Sequence, residues 1–497
     1  MTDPAERRRR RMITLVVMSA TIMHALDGTI ANVALPSIQG SLLATQEQVS
    51  WVLTSYIVAS AVVTPLTGFF AGRLGRRRVF VGAVVGFTSV SMLCGAAQTL
   101  DQLVLFRALQ GGFGAALIPL SQALMLDTYP REEHGKAMAI WGVGVMLGPI
   151  TGPSLGGWLT DELSWRWVFY VNLPVGILTA IGLLWLVQDG AHDRPGPFDH
   201  IGFAFLAISI AAFQLMLDRG EQLDWFESTE IAIEATVGAV AFAMFLIHMA
   251  THPRPFMPRA LFADRNLSIG LLFTALASLI LMVTATLMPP FLQHLKGYPV
   301  LTTGMILAPR GIGMMVAMML VARLIGRFDA RLLIGFGLGL CAVALWDMSR
   351  FTLDVSESHI LWNGVLLGFA LGFVFPPVSA LSFATIAPGL RTEAAAINAL
   401  LRNLGASVGI AVMVSLLARG AQTNRAGLAE GLTPLAPNWP MGRGALDPGQ
   451  LALWSAEIDR QAAMVAYLND FRAIMYLTLV SIPFLLLMRR QALALAR

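Results

Sequence analysis

Apolar stretches of about twenty residues recur along the whole chain and are separated by short polar segments. A helix of roughly that length crosses the ~30 Å of hydrocarbon in a bilayer. The pattern predicts about fourteen membrane-spanning helices, near 13–35, 50–71, 79–98, 102–126, 137–159, 166–187, 200–217, 230–250, 268–292, 303–325, 331–350, 359–386, 394–418 and 468–488. The expected fold class is an all-α polytopic membrane protein.

Composition and charge agree with that class. Of 497 residues, 56% are hydrophobic and only 13% are charged, which is outside the range of soluble globular proteins. The formal net charge of +4 comes from Arg and Lys residues in loops, and most of these loops fall on one side of the predicted spans. Because positively charged loops stay in the cytoplasm, both termini are expected there. The positive charge therefore sets topology, and no nucleic-acid partner is expected.

The chain lacks the residue patterns of an ATP-driven pump or of an enzyme. It contains no G-x-x-x-x-G-K-[ST] phosphate-binding loop. Its two cysteines, Cys94 and Cys341, show no metal-ligand spacing, and a disulfide between them is the less favoured alternative. No nucleophile and base, and no paired carboxylates, stand out. We expect a protein that is not an enzyme, has no cofactor, and draws its energy from a gradient.

The fifth predicted span contains a run of glycines that we call the glycine ladder. Four of its glycines are spaced four residues apart, so they share one helical face and let a neighbouring backbone approach closely. Two prolines in the same run each remove a backbone donor and are expected to kink the helix. The run comprises Gly144, Gly148, Pro149, Gly152, Pro153, Gly156 and Gly157.

The chain also repeats itself. The segment that ends at Gly152 matches the segment that ends at Gly409, with Ala, Ile, Leu and Gly residues at one constant offset. Matching segments lie eight spans apart and not six. This spacing places an extra helical pair between two six-helix bundles. The alternative is chance similarity between Gly- and Ala-rich helices. The expected division is 1–190 and 261–497 for the bundles, 191–260 for the linker with the extra pair, and 420–467 for a long extracytoplasmic loop.

Several motifs together resemble the major facilitator superfamily, specifically its fourteen-span drug/proton antiporters of the EmrB and QacA type. They are L-D-G-T-I-A-N-V-A-L-P-S-I (26–38), G-F-F-A-G-R-L-G-R-R-R (68–78), L-F-R-A-L-Q-G-G-F-G-A-A (105–116), the glycine ladder and W-R-W-V-F-Y-V-N-L-P (165–174). The resemblance covers nearly the whole chain. It implies two pseudo-symmetric bundles, export driven by the proton gradient and a place in the bacterial inner membrane. EmrB-type relatives imply a periplasmic adaptor and an outer-membrane channel as partners, whereas QacA-type relatives work without them, and both arrangements stay open.

The loop motif departs from the family in one place. Gly72 occupies the position of an acidic residue that belongs to a cytoplasmic charge relay in the family, so the relay in its usual form is not expected here. The gating residues carried over from the motif are Arg73, Gly75 and Arg76. Asp127, at the cytoplasmic end of the fourth span, is expected to pair with Arg73 or Arg76. A solvated surface pair of little strength is the alternative.

Ionisable side chains within a span are costly and therefore mark function. At about 1.5 Å per residue, Asp27 in the first span lies roughly 9 Å below the outer surface, and Arg107 in the fourth span roughly 8 Å below it. We expect the two side chains to face one another, with Asp27 as the coupling proton site and Arg107 as its counter-charge. The alternative is a fixed ion bridge that only orients two helices. His24 either relays protons or is a hydrogen-bonded histidine that lines water.

Other polar residues in the spans are candidates for contacts in a substrate cavity. Arg402 serves either anionic groups in the cavity or the ends of helices, whereas Arg310 is expected to be structural. The cavity candidates are Asn32, Gln110, Gln122, Asn363, Asn398 and Arg402.

The sequence predicts proton-coupled efflux of hydrophobic or amphipathic toxic compounds by alternating access. The 25 Met and 27 Phe residues suit a plastic apolar cavity, although packing against lipid explains most of them equally well. The expected partners are lipophilic small molecules, protons and membrane lipid. Two alternatives are a dedicated exporter of one metabolite or lipid-like compound, and a membrane receptor or scaffold that does not transport.

Overall fold

A computed structural model describes residues 4–188, 198–325, 327–430 and 448–489. These residues form α-helices joined by short turns, and the only strand-like pairing among them is a single bridge between Ile325 and Phe328. The predicted all-α class is confirmed. Each predicted span overlaps a helix or a broken pair of helices.

The first half of the chain supplies nine helices, of which some are two pieces of one span. They are α1 (Pro4–Ser41), α2 (Gln46–Val63), α3 (Leu66–Leu74), α4 (Arg76–Ala96), α5 (Leu100–Gly114), α6 (Leu117–Thr128), α7 (His134–Glu162), α8 (Trp167–Tyr170) and α9 (Asn172–Leu186).

The extra helical pair and the second half supply the others. They are α10 (His200–Arg219), α11 (Thr229–Thr251), α12 (Arg259–Ala263), α13 (Arg265–Pro290), α14 (Val300–Leu307), α15 (Pro309–Leu324), α16 (Ala330–Met348), α17 (Glu357–Gly372), α18 (Phe375–Phe383), α19 (Arg391–Glu430) and α20 (Pro448–Ser481).

When helices are judged by their length and composition, fewer of them can cross a membrane than the sequence predicts. Among the described residues, 12 helices are long and apolar enough to cross a membrane, or up to 13 if the bent pair α2 and α3 counts as one span. Helix α7, at the predicted fifth span, is 29 residues long but is not in that set. Fourteen spans therefore stays a prediction.

Prolines accompany three of the breaks within spans. The α5–α6 break precedes Pro119 and the α17–α18 break precedes Pro376 and Pro377. A proline ring clashes with the carbonyl four residues earlier and offers no amide to bond it. Since the internal repeat aligns Pro119 with Pro377, the two halves share this break. Between α2 and α3, at Pro65, the axis bends by 56°.

The last two long helices extend beyond the spans predicted for them. Helix α19 has 40 residues, which is about 60 Å of helix and twice the hydrocarbon thickness. Its far end packs on the start of α20, where Asn424 Nδ2 donates to Ala462 O at 3.2 Å and Arg425 forms an ion pair with Asp459. The segment 420–467, predicted as a long loop, thus contains the ends of two continuous helices. Residues 431–447 lie outside the described residues.

Buried apolar contacts show where the two halves meet. One apolar cluster joins side chains of α1, α4 and α6 to side chains of α13, α18 and α19. A second cluster, around Ile30, Leu103 and Trp165, draws only on the first half. Among the described residues, apolar packing between the halves is thus extensive around the N-terminal part of α1 and lacking around its C-terminal part. The molecule is closed at the end that the charge pattern assigns to the cytoplasm.

Helix α10 of the extra pair contacts both halves. Asp218 near its end accepts a hydrogen bond from Thr54 of α2. One turn earlier in α10, Gln214 Nε2 donates to Ser407 Oγ of α19 at 2.9 Å. The extra pair therefore lies beside α2 and α19 and is fixed to each by a polar contact.

Candidate functional site

A buried ion pair joins α1 to α5. Arg107 Nη1 donates to Asp27 Oδ2 at 2.7 Å, and both side chains are fully buried, at 0% exposure. The contact expected from the equal depths of the two residues is therefore present. Removing two charges from water costs several kcal/mol per ion, and further hydrogen bonds must offset this cost.

Two amides complete the hydrogen bonds of the Asp27 carboxylate. Gln110 Nε2 donates to Asp27 Oδ1 at 2.9 Å, while Gln110 Oε1 accepts from Arg107 Nη1 at 2.7 Å. Asn172 Nδ2 donates to Asp27 Oδ1 at 3.0 Å and also to Ser91 Oγ at 3.0 Å. Oδ1 therefore accepts two hydrogen bonds, whereas Oδ2 accepts one.

Aromatic rings and a backbone carbonyl hold the guanidinium from the other side. Arg107 Cζ lies 4.1 Å from the centroid of the Tyr56 ring and 5.7 Å from that of Phe169. Arg107 Nε donates to Val52 O at 3.2 Å. Arg107 Nη2 has no hydrogen-bond partner among the described residues. A cation held over a ring in a dry site is stabilised by the ring quadrupole, so the position of Arg107 depends only partly on Asp27.

Close helix packing brings these groups together. A Cβ at Gly111 of α5 would overlap the backbone oxygen of Tyr56 in α2. Since only glycine permits that approach, the guanidinium of Arg107, one turn earlier, reaches the Val52 carbonyl and the Tyr56 ring. Asn172 is the first residue of α9, directly after the short α8.

A proton bound at this site would change the contact between α1 and α5. Oδ2 of Asp27 has an open acceptor site beside its bond to Arg107, so a proton can bind there without displacing Gln110 or Asn172. Protonation removes the charge that attracts Arg107 and leaves α1 tied to α5 by neutral hydrogen bonds only. Proton binding would therefore loosen α1 against α5.

His24 lies one turn before Asp27 and does not contact its carboxylate. Its Nδ1 is 3.2 Å from the Tyr56 hydroxyl, and its ring centroid is 6.2 Å from that of Tyr56 and 6.4 Å from that of Phe87. The guanidinium of Arg402, from α19 in the other half, is close enough to repel a positive charge on His24.

Arg402 differs from Arg107 in its surroundings. It is partly buried, and no carboxylate among the described residues pairs with it. A guanidinium without a protein counter-ion is available to an anionic group. Arg310 of α15, by contrast, donates from Nη2 to Leu281 O at 3.1 Å.

The other cavity candidates are spread over the molecule. Asn32 is exposed on α1, and Gln122 is buried against Met138, with its Nε2 3.8 Å from the sulfur. Asn363 Nδ2 donates to Ala344 O at 2.9 Å and to Asp347 Oδ2 at 2.8 Å. Asn398 Nδ2 donates to Thr274 Oγ1 at 3.1 Å. Of the predicted cavity residues, only Gln110 joins the Asp27 site.

The glycine ladder packs on α1, the helix that carries His24 and Asp27. A Cβ at Gly148 would overlap the backbone of Ala25, and a Cβ at Gly152 would overlap Thr29 Oγ1. Gly144 faces Met18 and Gly156 faces Ile30, whereas a Cβ at Gly157 would meet nothing within 4 Å. Thr29 Oγ1 also donates to Gly148 O at 3.2 Å. The side chains of Pro149 and Pro153 lie outside the described residues.

The second half repeats this packing. A Cβ at Gly405 of α19 would overlap the backbone of Ala275 in α13, and a Cβ at Gly409 would overlap Leu279. The internal repeat aligns these glycines with Gly148 and Gly152, so α19 lies on α13 as α7 lies on α1. Asp27 and Arg107 have no charged counterparts at this place in the second half.

A second ionic site, which we call the end latch, connects the halves at the closed end. Asp127 at the end of α6 pairs with Arg76 of α4 and, at 2.6 Å, with Arg391 of α19. Arg76 Nη2 also donates to Pro388 O at 2.9 Å. Of the two expected partners of Asp127, Arg76 is therefore the one used, while Arg73 lies 5.9 Å from the Phe69 ring centroid. Gly75 has φ 92° and joins α3 to α4.

We predict that Asp127→Asn weakens closure at this end. The change removes the charge shared by Arg76 and Arg391, and each partly exposed pair contributes about 0.2–1 kcal/mol. A thiol-reactive probe at a cysteine placed in the end latch should therefore react several-fold faster than in the parent protein. Asp161→Asn, at the opposite end of α7, is the matched control. Equal reaction rates in the Asp127 variant and the parent would show that the latch does not hold the halves together.

Several site residues were not predicted from the sequence. Tyr56, Ser91 and Asn172 all belong to the Asp27 site, and Arg391 belongs to the end latch. Asn172 is an amide in an otherwise apolar span, within the motif 165–174, and this polarity was the available signal. Ser91 and Tyr56 are residue types that membrane helices commonly contain, so no signal distinguishes them. Cys94, which is buried and free like Cys341, donates from Sγ to Gln110 Oε1 at 3.5 Å.

Comparison with known proteins agrees with these features. The family model described as Major Facilitator Superfamily matches residues 17–410. The chain is 34% identical over 438 residues to "Multidrug export protein EmrB" of Escherichia coli K12, covering 88% of this chain and 85% of the relative. It is 35% identical over 427 residues to "Fatty acid resistance protein FarB" of Neisseria gonorrhoeae, covering 85% and 83%.

A solved structure shares the fold at low sequence identity. The human organic anion transporter MFSD10 (TETRAN) matches with a TM-score of 0.62 at 16% identity, covering 96% of this chain and 100% of that chain. The spanning helices, the repeated packing of the two halves and the match over most of the sequence lead to one conclusion: this chain is a multi-pass membrane protein that belongs to the major facilitator superfamily, among its EmrB-like members.

Proposed function

We propose that this protein exports hydrophobic or amphipathic compounds in exchange for protons by alternating access. The observation that supports this most is the buried Asp27–Arg107 pair, in which one carboxylate of the first half can bind a proton and thereby loosen α1 against α5. A mere packing contact would not need two buried charges, since apolar residues of similar size stabilise a helix pair at least as well.

The packing of α7 on α1 gives this proton site a mechanical role. The glycine ladder holds α1 close to α7, so a displacement of α1 on protonation would be passed to α7. Helix α7 in turn contacts α15 of the other half, where Gly142 lies against Met318. Proton binding at Asp27 would in this way change how the two halves meet, which is what alternating access requires.

The relatives support export as the direction and amphipathic compounds as the substrates. EmrB is named as a multidrug export protein and FarB as a fatty acid resistance protein. We place the protein in a bacterial inner membrane with both termini in the cytoplasm, in agreement with the charge pattern of its loops. A periplasmic adaptor and an outer-membrane channel, as partners of the EmrB type, belong to the same proposal.

A second candidate function is export dedicated to amphipathic anions. Arg402 favours it, because its guanidinium has no carboxylate partner among the described residues and is close enough to His24 of the first half to repel a positive charge there. The guanidinium of Arg402 would bind the anionic head group of such a compound.

The test is proton flux in proteoliposomes over a panel of lipophilic cations, neutral compounds and weak acids. The proposal predicts that at least one class evokes proton movement opposite to the substrate. Flux evoked by cations would favour Asp27 as a shared site for substrate and proton. Flux evoked only by weak acids, and lost in Arg402→Gln, would favour the dedicated anion exporter. Transport without proton movement for every class would contradict proton coupling.

A further inference from the structure

Three side chains that belong to neither the Asp27 site nor the end latch lie together at one end of the extra helical pair, α10 and α11. Asp199 is the residue directly before α10, His248 lies in the last turn of α11, and His252 follows that helix. One ligand atom from each, a carboxylate oxygen or a ring nitrogen, lies within 4.8 Å of the other two. The cluster is far in sequence from both the Asp27 site and the end latch.

The geometry of the cluster suits a metal ion. His248 Nε2 is 2.9 Å from Asp199 Oδ1 and 3.0 Å from Oδ2. The rings of His248 and His252 lie one turn apart and stack at 4.7 Å, with an angle of 17° between their planes. Two imidazoles and one carboxylate are a ligand set that zinc and related transition metals prefer, with water in the fourth position.

The surroundings hold the carboxylate in place before any metal binds. Asp199 Oδ1 accepts from the Gly202 amide at 2.8 Å, and Oδ2 accepts from the Phe256 amide at 3.0 Å. Burial alone would raise the pKa of Asp199, but these two amides and His248 lower it below its usual value. Phe205 lies beside His248, with ring centroids 6.4 Å apart. Such outer contacts fix ligand orientation and increase metal affinity.

We propose that Asp199, His248 and His252 bind one divalent transition-metal ion of the zinc class. The ion would connect the start of α10 to the end of α11, and so close the hairpin opposite the short turn between Arg219 and Thr229. Because α10 contacts both α2 and α19, a closed hairpin would hold a rigid pair of helices against the two halves. Without metal, His248 bonds directly to Asp199.

The experiment measures zinc binding by the full-length protein in detergent, purified through a tag without histidine and freed of metal with a chelator. Titration against a chromophoric zinc chelator should give one high-affinity site per chain. His252→Gln should weaken that site at least about tenfold, since loss of even an outer contact of a metal site costs about 10- to 100-fold. His200→Gln, next to Asp199 but outside the cluster, is the matched control and should bind as the parent does.

A second readout separates binding from misfolding. Zinc should raise the melting temperature of the parent and of His200→Gln, but should leave that of His252→Gln and His248→Gln unchanged. If the parent binds no zinc, or if the His252 and His248 variants bind it with unchanged affinity, the proposal is wrong. An equal loss of zinc affinity in His200→Gln would indicate adventitious binding to surface histidines and would overturn the proposal as well.

Discussion

Replacing Asp27 with Asn is expected to abolish transport that is driven by a pH gradient while substrate exchange without a gradient continues. The amide oxygen of Asn can still accept from Arg107, but it cannot take up the coupling proton. The fold should survive, because this hydrogen bond keeps the loss below the about 3–5 kcal/mol that removing one partner of a buried ion pair costs. Both activities are measured in proteoliposomes with and without an imposed gradient.

The matched control for this variant is Asp470→Asn. Asp470 is also a buried carboxylate in a spanning helix, with 3% exposure, but it lies in α20 of the second half. Gradient-driven transport should persist in this variant. If Asp470→Asn loses coupling and Asp27→Asn retains it, the proton site has been assigned to the wrong half.

The second large effect is expected at the glycine ladder. A Cβ at Gly148 would lie 2.6 Å from Ala25 Cβ and closer still to the Ala25 backbone, so Gly148→Ala must push α1 away from α7. Overpacking of this kind costs about 1–3 kcal/mol. We expect a lower melting temperature in detergent and a loss of transport, since α1 carries Asp27.

Gly157→Ala tests whether that effect comes from the contact and not from the loss of a glycine. Gly157 lies in the same helix, and an added Cβ there would meet nothing within 4 Å. The Gly157→Ala substitution should leave stability and transport unchanged or slightly improved, because alanine favours a helix more than glycine does. Similar behaviour of the two variants would contradict the assigned role of the ladder.

The chemistry of the Asp27 pair could be predicted from the sequence because charge is rare in apolar spans and helical rise is constant. Depth along the membrane follows from counting residues, and depth alone brought Asp27 and Arg107 to the same level. The direction in which a side chain points around the helix axis does not follow from counting residues. Asn363 therefore drew attention as a polar residue, yet its side chain turns to Asp347 and the Ala344 carbonyl.

The residues that were missed show a second limit. Asn172 and Ser91 complete the Asp27 site through contacts between α9, α4 and α1, and such contacts depend on packing between helices distant in sequence. The segment 420–467 was predicted as a loop because its residues are polar. Beyond the membrane a helix needs no apolar sequence, and α19 and α20 extend there by packing on each other.

The repeat was predicted from glycines and alanines at a constant offset, and the structure shows what those residues share. In both halves small residues place one long helix against the first helix of its bundle, α7 on α1 and α19 on α13. Charge does not follow the repeat, since among the described residues only the first bundle holds a buried acidic and basic pair at this level. We therefore propose that proton coupling belongs to one half of a nearly symmetric frame.

The most direct test of that assignment is proton release on substrate binding, measured with a pH indicator in weakly buffered detergent solution. The purified protein should release protons when substrate is added, and Asp27→Asn should bind the same substrate with no release. Release of unchanged size from Asp27→Asn would contradict the account, because the coupling proton would then be bound elsewhere.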